Sequence, residues 1–151
     1  MTLSETDDPW GGKTYIITHY NSTDVLTRGD AGAEVFLEQY DSSKISQKWS
    51  VSVSNGFFMF SAKQSDGGST AYLALDDNDA LYAESTESKA GSFVARKDPA
   101  GGFELLVFVT VTTTSGSTTT STPTLKAIDQ ISGALKAESE SSYRFGFTLS
   151  S

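Results

Sequence analysis

The chain has 151 residues, 19 acidic and 11 basic, with one histidine and no cysteine, for a formal charge of −8. That length suits one domain with a buried core, and the lack of cysteine excludes a disulfide scaffold, a thiolate zinc site and a cysteine nucleophile, which fits a reducing cytosol. The acidic balance, with its basic residues scattered, argues against a nucleic-acid or anionic-membrane partner, because either would need clustered Lys and Arg.

The first stretch, residues 1–13, reads as a frayed tail ending in Pro9-Trp10-Gly11-Gly12. It is acidic and polar where a secretion signal would be basic and then apolar, so a cytoplasmic location is expected. Thr14–Tyr20 is β-branched and aromatic, a strand; Asn21–Thr23 is a polar turn, and Asp24–Thr27 a short second strand. Arg28-Gly29-Asp30-Ala31-Gly32 has loop chemistry. Glu34–Tyr40 predicts a third strand and Asp41–Ser46 a polar connection. Trp49 to Val53 alternates apolar and polar residues, a half-buried strand that closes at Asn55-Gly56.

The same cycle then restarts. Phe57–Phe60 opens a strand, Gln64–Ser69 is a loop, and Tyr72–Leu75 is a short strand. Asp76-Asp77-Asn78-Asp79 turns the chain, Leu81–Glu84 returns it, and Phe93–Arg96 closes the unit before the joint Asp98-Pro99-Ala100-Gly101-Gly102. The third unit runs through Glu104–Val111, Leu125–Ile128, Ala134–Ala137 and Tyr143–Leu149. Its Thr/Ser/Gly insertion, Thr112–Thr122, predicts a long mobile loop or an extended hairpin tip.

The units also echo one another in sequence. Ala80-Leu81-Tyr82-Ala83-Glu84-Ser85 returns as Ala134-Leu135-Lys136-Ala137-Glu138-Ser139, and Ala74-Leu75-Asp76 returns as Ala127-Ile128-Asp129. The period is about a third of the chain, which marks a repeat architecture. A degenerate copy lies in the first fifty residues, in Asp24-Val25-Leu26, Glu34–Tyr40 and Gln47-Lys48-Trp49. Three units of four short strands, with boundaries near 13–55, 56–100 and 101–151, select an all-β fold, the β-trefoil. Trp49, Phe93 and Phe145 stand at corresponding places and should meet in a shared core.

Unit one, ending in Gln47-Lys48-Trp49, resembles the ricin-B-like trefoils, whose units end in Gln-x-Trp. Units two and three carry Gly91-Ser92-Phe93 and Tyr143-Arg144-Phe145 there instead. The length, acidity and lack of cysteine are similar to those of the small mushroom members of that group, which include both sugar-binding lectins and serine protease inhibitors. The resemblance to the inhibitors implies a trypsin-like serine protease as partner. It also implies a reactive loop over Thr27, Arg28, Gly29 and Asp30, with the Arg28 guanidinium filling a pocket floored by a carboxylate. Lys89, beside Ala90-Gly91, is the rival anchor. Such an inhibitor acts as a monomer and needs no cofactor, metal or catalytic residue.

The alternative is a lectin. A sugar site wants an aromatic face and a few fixed polar groups, and unit one offers Asp24, Gln39, Tyr40, Ser46 and Gln47, with His19 near. An enzyme is not expected. His19 sits in an alternating strand and no Gly-x-Ser-x-Gly elbow occurs. Asp76–Asp79 lacks the ligand and glycine that a calcium loop would place at Ala80 and Leu81, so it reads as a solvated turn.

Overall fold

The computed structural model describes residues 8–64 and 68–150. The start of the expected tail, to residue 7, and positions 65–67 of the expected loop Gln64–Ser69 lie outside the described residues. Twelve strands follow one another: β1 Thr14–His19, β2 Asp24–Thr27, β3 Phe36–Gln39, β4 Trp49–Ser54, β5 Phe57–Lys63 and β6 Thr70–Leu75. Then come β7 Leu81–Glu84, β8 Phe93–Lys97, β9 Phe103–Ser115, β10 Thr118–Ile131, β11 Ala134–Glu138 and β12 Phe145–Ser150. Single 3₁₀ turns at Ile45–Gln47 and Glu87–Lys89 occupy two of the polar connections.

Six strands form a closed antiparallel ring. β1 pairs with β4, β4 with β5, β5 with β8, β8 with β9, β9 with β12, and β12 returns to β1. The remaining strands form three hairpins, β2–β3, β6–β7 and β10–β11. Isolated bridges Glu34–Tyr82 and Ala80–Lys136 tie one hairpin region to the next. The echoed hexapeptides are therefore β7 and β11, and alternation explains why they had to resemble each other. Leu81 and Ala83 in one, and Leu135 and Ala137 in the other, bury the same face.

Trp49, Phe93 and Phe145 are all fully buried, and each is the first residue of its strand. Around them Phe60 meets Phe93 at 5.4 Å and Phe103 meets Phe147 at 5.3 Å, both edge to face. Aromatic pairs favour that geometry, and it locks the ring interior. Asn55 and Gly56 both take positive φ, the backbone that a two-residue turn between β4 and β5 demands.

One expectation is corrected. The chain from Asp8 is held rather than frayed. The Tyr15 hydroxyl donates to the Asp8 carbonyl at 3.1 Å and accepts from the Trp10 N–H at 2.9 Å, while the Gly12 N–H bonds the Val51 carbonyl at 2.7 Å. The Thr/Ser insertion takes the second of its two expected forms, an extended hairpin. β9 and β10 stay in register from Leu106–Ala127 out to Ser115–Thr118. Threonine's branched side chain suits that extended backbone.

Candidate functional site

The site builds up from the end of the β2–β3 hairpin. Asp24 opens β2 directly opposite Gln39, the last residue of β3, and both are exposed. The Tyr40 N–H then donates to the Thr23 carbonyl at 2.9 Å, which closes the hairpin and leaves the Tyr40 ring half-buried at its rim. Beyond it the chain turns through Asp41, whose carboxylate accepts from both the backbone N–H and the hydroxyl of Ser43, at 3.0 and 2.7 Å. Those bonds, the hydroxyl first, hold Asp41 below the usual carboxylate range.

Gln47 fixes this rim from behind. Its side chain is fully buried, and its amide oxygen accepts from the Asp41 N–H at 2.8 Å. Its amide nitrogen reaches the Gln39 carbonyl at 3.1 Å, Glu38 Oε2 at 3.2 Å and Thr27 Oγ1 at 3.3 Å. Glu38 also takes Lys44 Nζ at 2.9 Å, a contact that raises the Lys44 pKa. The result is an open pocket of about 510 Å³, lined by Glu38, Gln39, Tyr40, Asp41, Ser42 and Lys44. The neighbouring Trp49 is core, its indole N–H donating to the Leu26 carbonyl at 2.9 Å.

Of the residues expected to bind sugar, Gln39 and Tyr40 line the pocket, Asp24 lies across the strand pair from Gln39, and Gln47 is the buttress beneath. Ser46 is buried, and its carbonyl accepts from the Arg28 N–H at 3.1 Å. His19 is stacked on Tyr143, with ring centroids 4.2 Å apart and planes within 12°. The sequence reading missed Glu38, Asp41, Ser42 and Lys44 as pocket walls. The signal for them was the buried glutamine of Gln-x-Trp, whose amide must find partners on the segment just before it.

Among the described residues, the two other units lack the buried glutamine that braces this rim, although unit three has a depression of about 380 Å³ beside Ser139, Glu140 and Ser141. Gly91 has no side chain, and a Cβ there would meet Phe93 at 2.7 Å. Tyr143 has a hydroxyl that is buried without a hydrogen-bond partner among the described residues. Burial, and then the charges of Asp24 and Asp129, push that phenol up to about 12. In unit two Glu84 is taken by the Tyr82 hydroxyl and the Thr86 N–H, so its carboxylate is already engaged.

The expected reactive loop is turned inward. Arg28 is 2% exposed, with Nη1 donating to the carbonyls of Ala62 at 3.0 Å and Ser69 at 2.8 Å, and Nε to the Gly29 carbonyl at 2.9 Å. Thr27 is buried as well, and Gly29 is half-buried. Asp30 is exposed and accepts from the Gln64 amide at 2.7 Å. The physical reason is demand. Carbonyls of unit two face this loop, and a guanidinium carries enough N–H groups to serve several of them at once. Lys89 is exposed but closes the 3₁₀ turn Glu87–Lys89, so its backbone is not the extended form a protease cleft accepts. In the Asp76–Asp79 turn, Asp76 accepts from the Asn78 and Ala80 N–H groups at 2.8 and 3.0 Å. No group of three metal-ligating side chains occurs among the described residues.

Among solved structures, the chain is similar to a ricin B-like lectin of Macrolepiota procera, determined in complex with lactose. The match has a TM-score of 0.55 at 16% identity and covers 96% of this chain and 91% of the lectin. The fold is a β-trefoil. No protein-family profile matches the chain, and no curated protein matches it by sequence.

Proposed function

We propose that this trefoil is a carbohydrate-binding protein with one site, in the unit-one pocket. The observation that carries the reading is the Gln47 amide, which holds Asp41, Glu38 and Gln39 in place before any ligand arrives. Sugars offer many weak hydroxyl contacts, so a site that is already ordered loses little entropy on binding. In this reading the half-buried Tyr40 ring supplies the apolar platform for a pyranose face. Asp24, Gln39 and Asp41 supply acceptors and donors for its hydroxyls. The Asp41 carboxylate, held below its usual range by Ser43, is a strong acceptor. Lactose is the first ligand to try, because the structurally similar lectin was determined with it.

Titration calorimetry with lactose, followed by a glycan array, tests the proposal. Binding should fall at least tenfold in Tyr40→Ala and in Gln39→Ala, with folding unchanged. Failure of the wild type to bind any arrayed glycan would overturn it. Inhibition of a trypsin-like protease, the other function open to this fold, would need a basic side chain free to leave the surface, and Arg28 is engaged with Ala62 and Ser69. Stoichiometric inhibition of trypsin by the wild type, retained in Tyr40→Ala, would favour that function over sugar binding.

A further inference from the structure

The end of the β9–β10 hairpin belongs neither to the ring nor to the pocket. Among the described residues, β9 pairs from Val109 to Ser115 only with β10, since its pairing with β8 ends at Val107 and the last backbone hydrogen bond on that side is the Phe108 N–H to the Ser92 carbonyl, at 2.9 Å. At about 3.4 Å per residue these seven residues make an edge of about 24 Å. The tip is a two-residue turn with Gly116 at φ 62, so the ribbon is continuous to its end. Each outer edge therefore presents a row of backbone N–H and C=O groups.

Such edges are normally guarded by charge, proline or a bulge. Here the two edges differ. β10 carries Pro123, which cannot donate to a ladder and is confined to positions where its nitrogen faces away from the paired strand. β9 has no proline in this stretch, and Val109–Leu125 contains no charged residue at all, in a chain of net charge −8. Two copies, each with a net charge of −8, repel each other overall. The ribbon is where they can approach without bringing like charges together. At its base Phe108 and Leu125 sit opposite each other, 38% and 41% exposed, with Phe57 against Phe108 at 5.2 Å. They extend the neutral strip with apolar surface.

We infer that the β9 edge, Val109–Ser115, pairs antiparallel with the same edge of a second copy to form a two-fold dimer. A strand pairing with its own copy is isologous and closes on itself. Pro123 guards the other edge, so the assembly stops at two rather than growing into a fibre. Two seven-residue edges are small as specific interfaces go, which sets the affinity in the micromolar range. This departs from the monomer expected from the sequence. If the sugar-site proposal also holds, pairing gives a one-site chain two sites and hence avidity. The dimer itself does not depend on that proposal.

Sedimentation velocity between about 5 and about 200 μM, a range bracketing that affinity, tests the inference. Three proteins are compared, each checked for folding by near-ultraviolet circular dichroism. They are the wild type, a variant in which Asn-Gly replaces residues 110–123 to join Val109 to its register partner Thr124, and Thr112→Lys/Thr114→Lys. The wild type should shift with concentration toward twice the chain mass of 16.1 kDa. The trimmed protein should stay monomeric, and the lysine pair should raise the dissociation constant at least tenfold. A wild type that stays monomeric throughout, a trimmed variant that still dimerises, or a lysine pair that dimerises like the wild type would each overturn the inference.

Discussion

Arg28 was expected to project from the surface and instead lies inside, and its replacement gives a direct measure of that difference. In Arg28→Ala the buried Ala62 carbonyl loses its Nη1 donor, which costs about 1–3 kcal/mol. The Ser69 carbonyl belongs to an exposed residue and can turn to water, so it adds little. Loss of the buried aliphatic stem adds about 0.8 kcal/mol per methylene. The sum, after some relief from no longer burying a charge, is about 2–4 kcal/mol of destabilisation. Urea unfolding followed by Trp49 fluorescence should show the midpoint fall by about 1–2 M at a slope of about 2 kcal/mol/M. Arg28→Met keeps the stem and should lose about half as much, which separates the hydrogen bonds from the packing. A solvated loop arginine would cost less than about 0.5 kcal/mol when replaced. If Arg28→Ala falls within that margin, the inward placement is refuted.

Tyr143→Phe should stabilise the protein by about 1 kcal/mol, measured as a rise in the urea midpoint, because it removes a buried hydroxyl with no partner among the described residues. The same residue shapes the alkaline limb. The Tyr82 phenol is raised to about 12 by its bond to Glu84, and Tyr143 by burial. Unfolded tyrosines ionise first, at about 10, so stability should drop as pH rises from about 10 to about 12, and Tyr143→Phe should reduce the slope. At the acid end, Asp98 is held down by the Ala100 N–H and then by Arg144, and Asp41 and Glu84 are also lowered. Their contribution is present above the unfolded carboxylate range and disappears as pH falls through the depressed folded values, so the protein should weaken below about pH 4, less steeply in Asp98→Asn. Gly102→Ala should lose at least about 1 kcal/mol in thermal unfolding, because φ is +73 and the new Cβ would stand 2.8 Å from the Tyr20 ring.

The architecture was legible because a trefoil writes itself three times. Alternation in Leu81/Ala83 and Leu135/Ala137, and an aromatic at Trp49, Phe93 and Phe145, are consequences of each unit filling the same part of one core. The turn at Asn55-Gly56 was legible for a local reason, since those residues tolerate positive φ. The direction of a loop side chain was not. Arg28 sits among glycines and polar residues, and only the carbonyls of Ala62 and Ser69, more than thirty residues away, decide that it turns in. The pocket was half legible. Tyr40 and Gln39 follow from the hairpin, but Glu38, Asp41 and Lys44 join them only through the hydrogen bonds that Gln47 collects. The Thr/Ser segment showed the opposite limit, since composition alone could not separate a loop from a ribbon whose register runs to Ser115–Thr118.

The pairing of β1 with β12, from Thr14–Ser150 to His19–Phe145, sets the order in which the molecule can be completed. During synthesis the first strand emerges early, and the strand it must zip against comes some 130 residues later. Until then β1 has only β2 and β4 beside it, and the Tyr15 and Ile17 side chains that end in the core have no Phe147 to close over them. Units one and two can begin to form during synthesis, but the barrel is sealed only once β12 is available to pair with β1. The closed state should therefore arrive in a single late step, and a chain truncated before Phe145 should stay open whatever its first two units have formed.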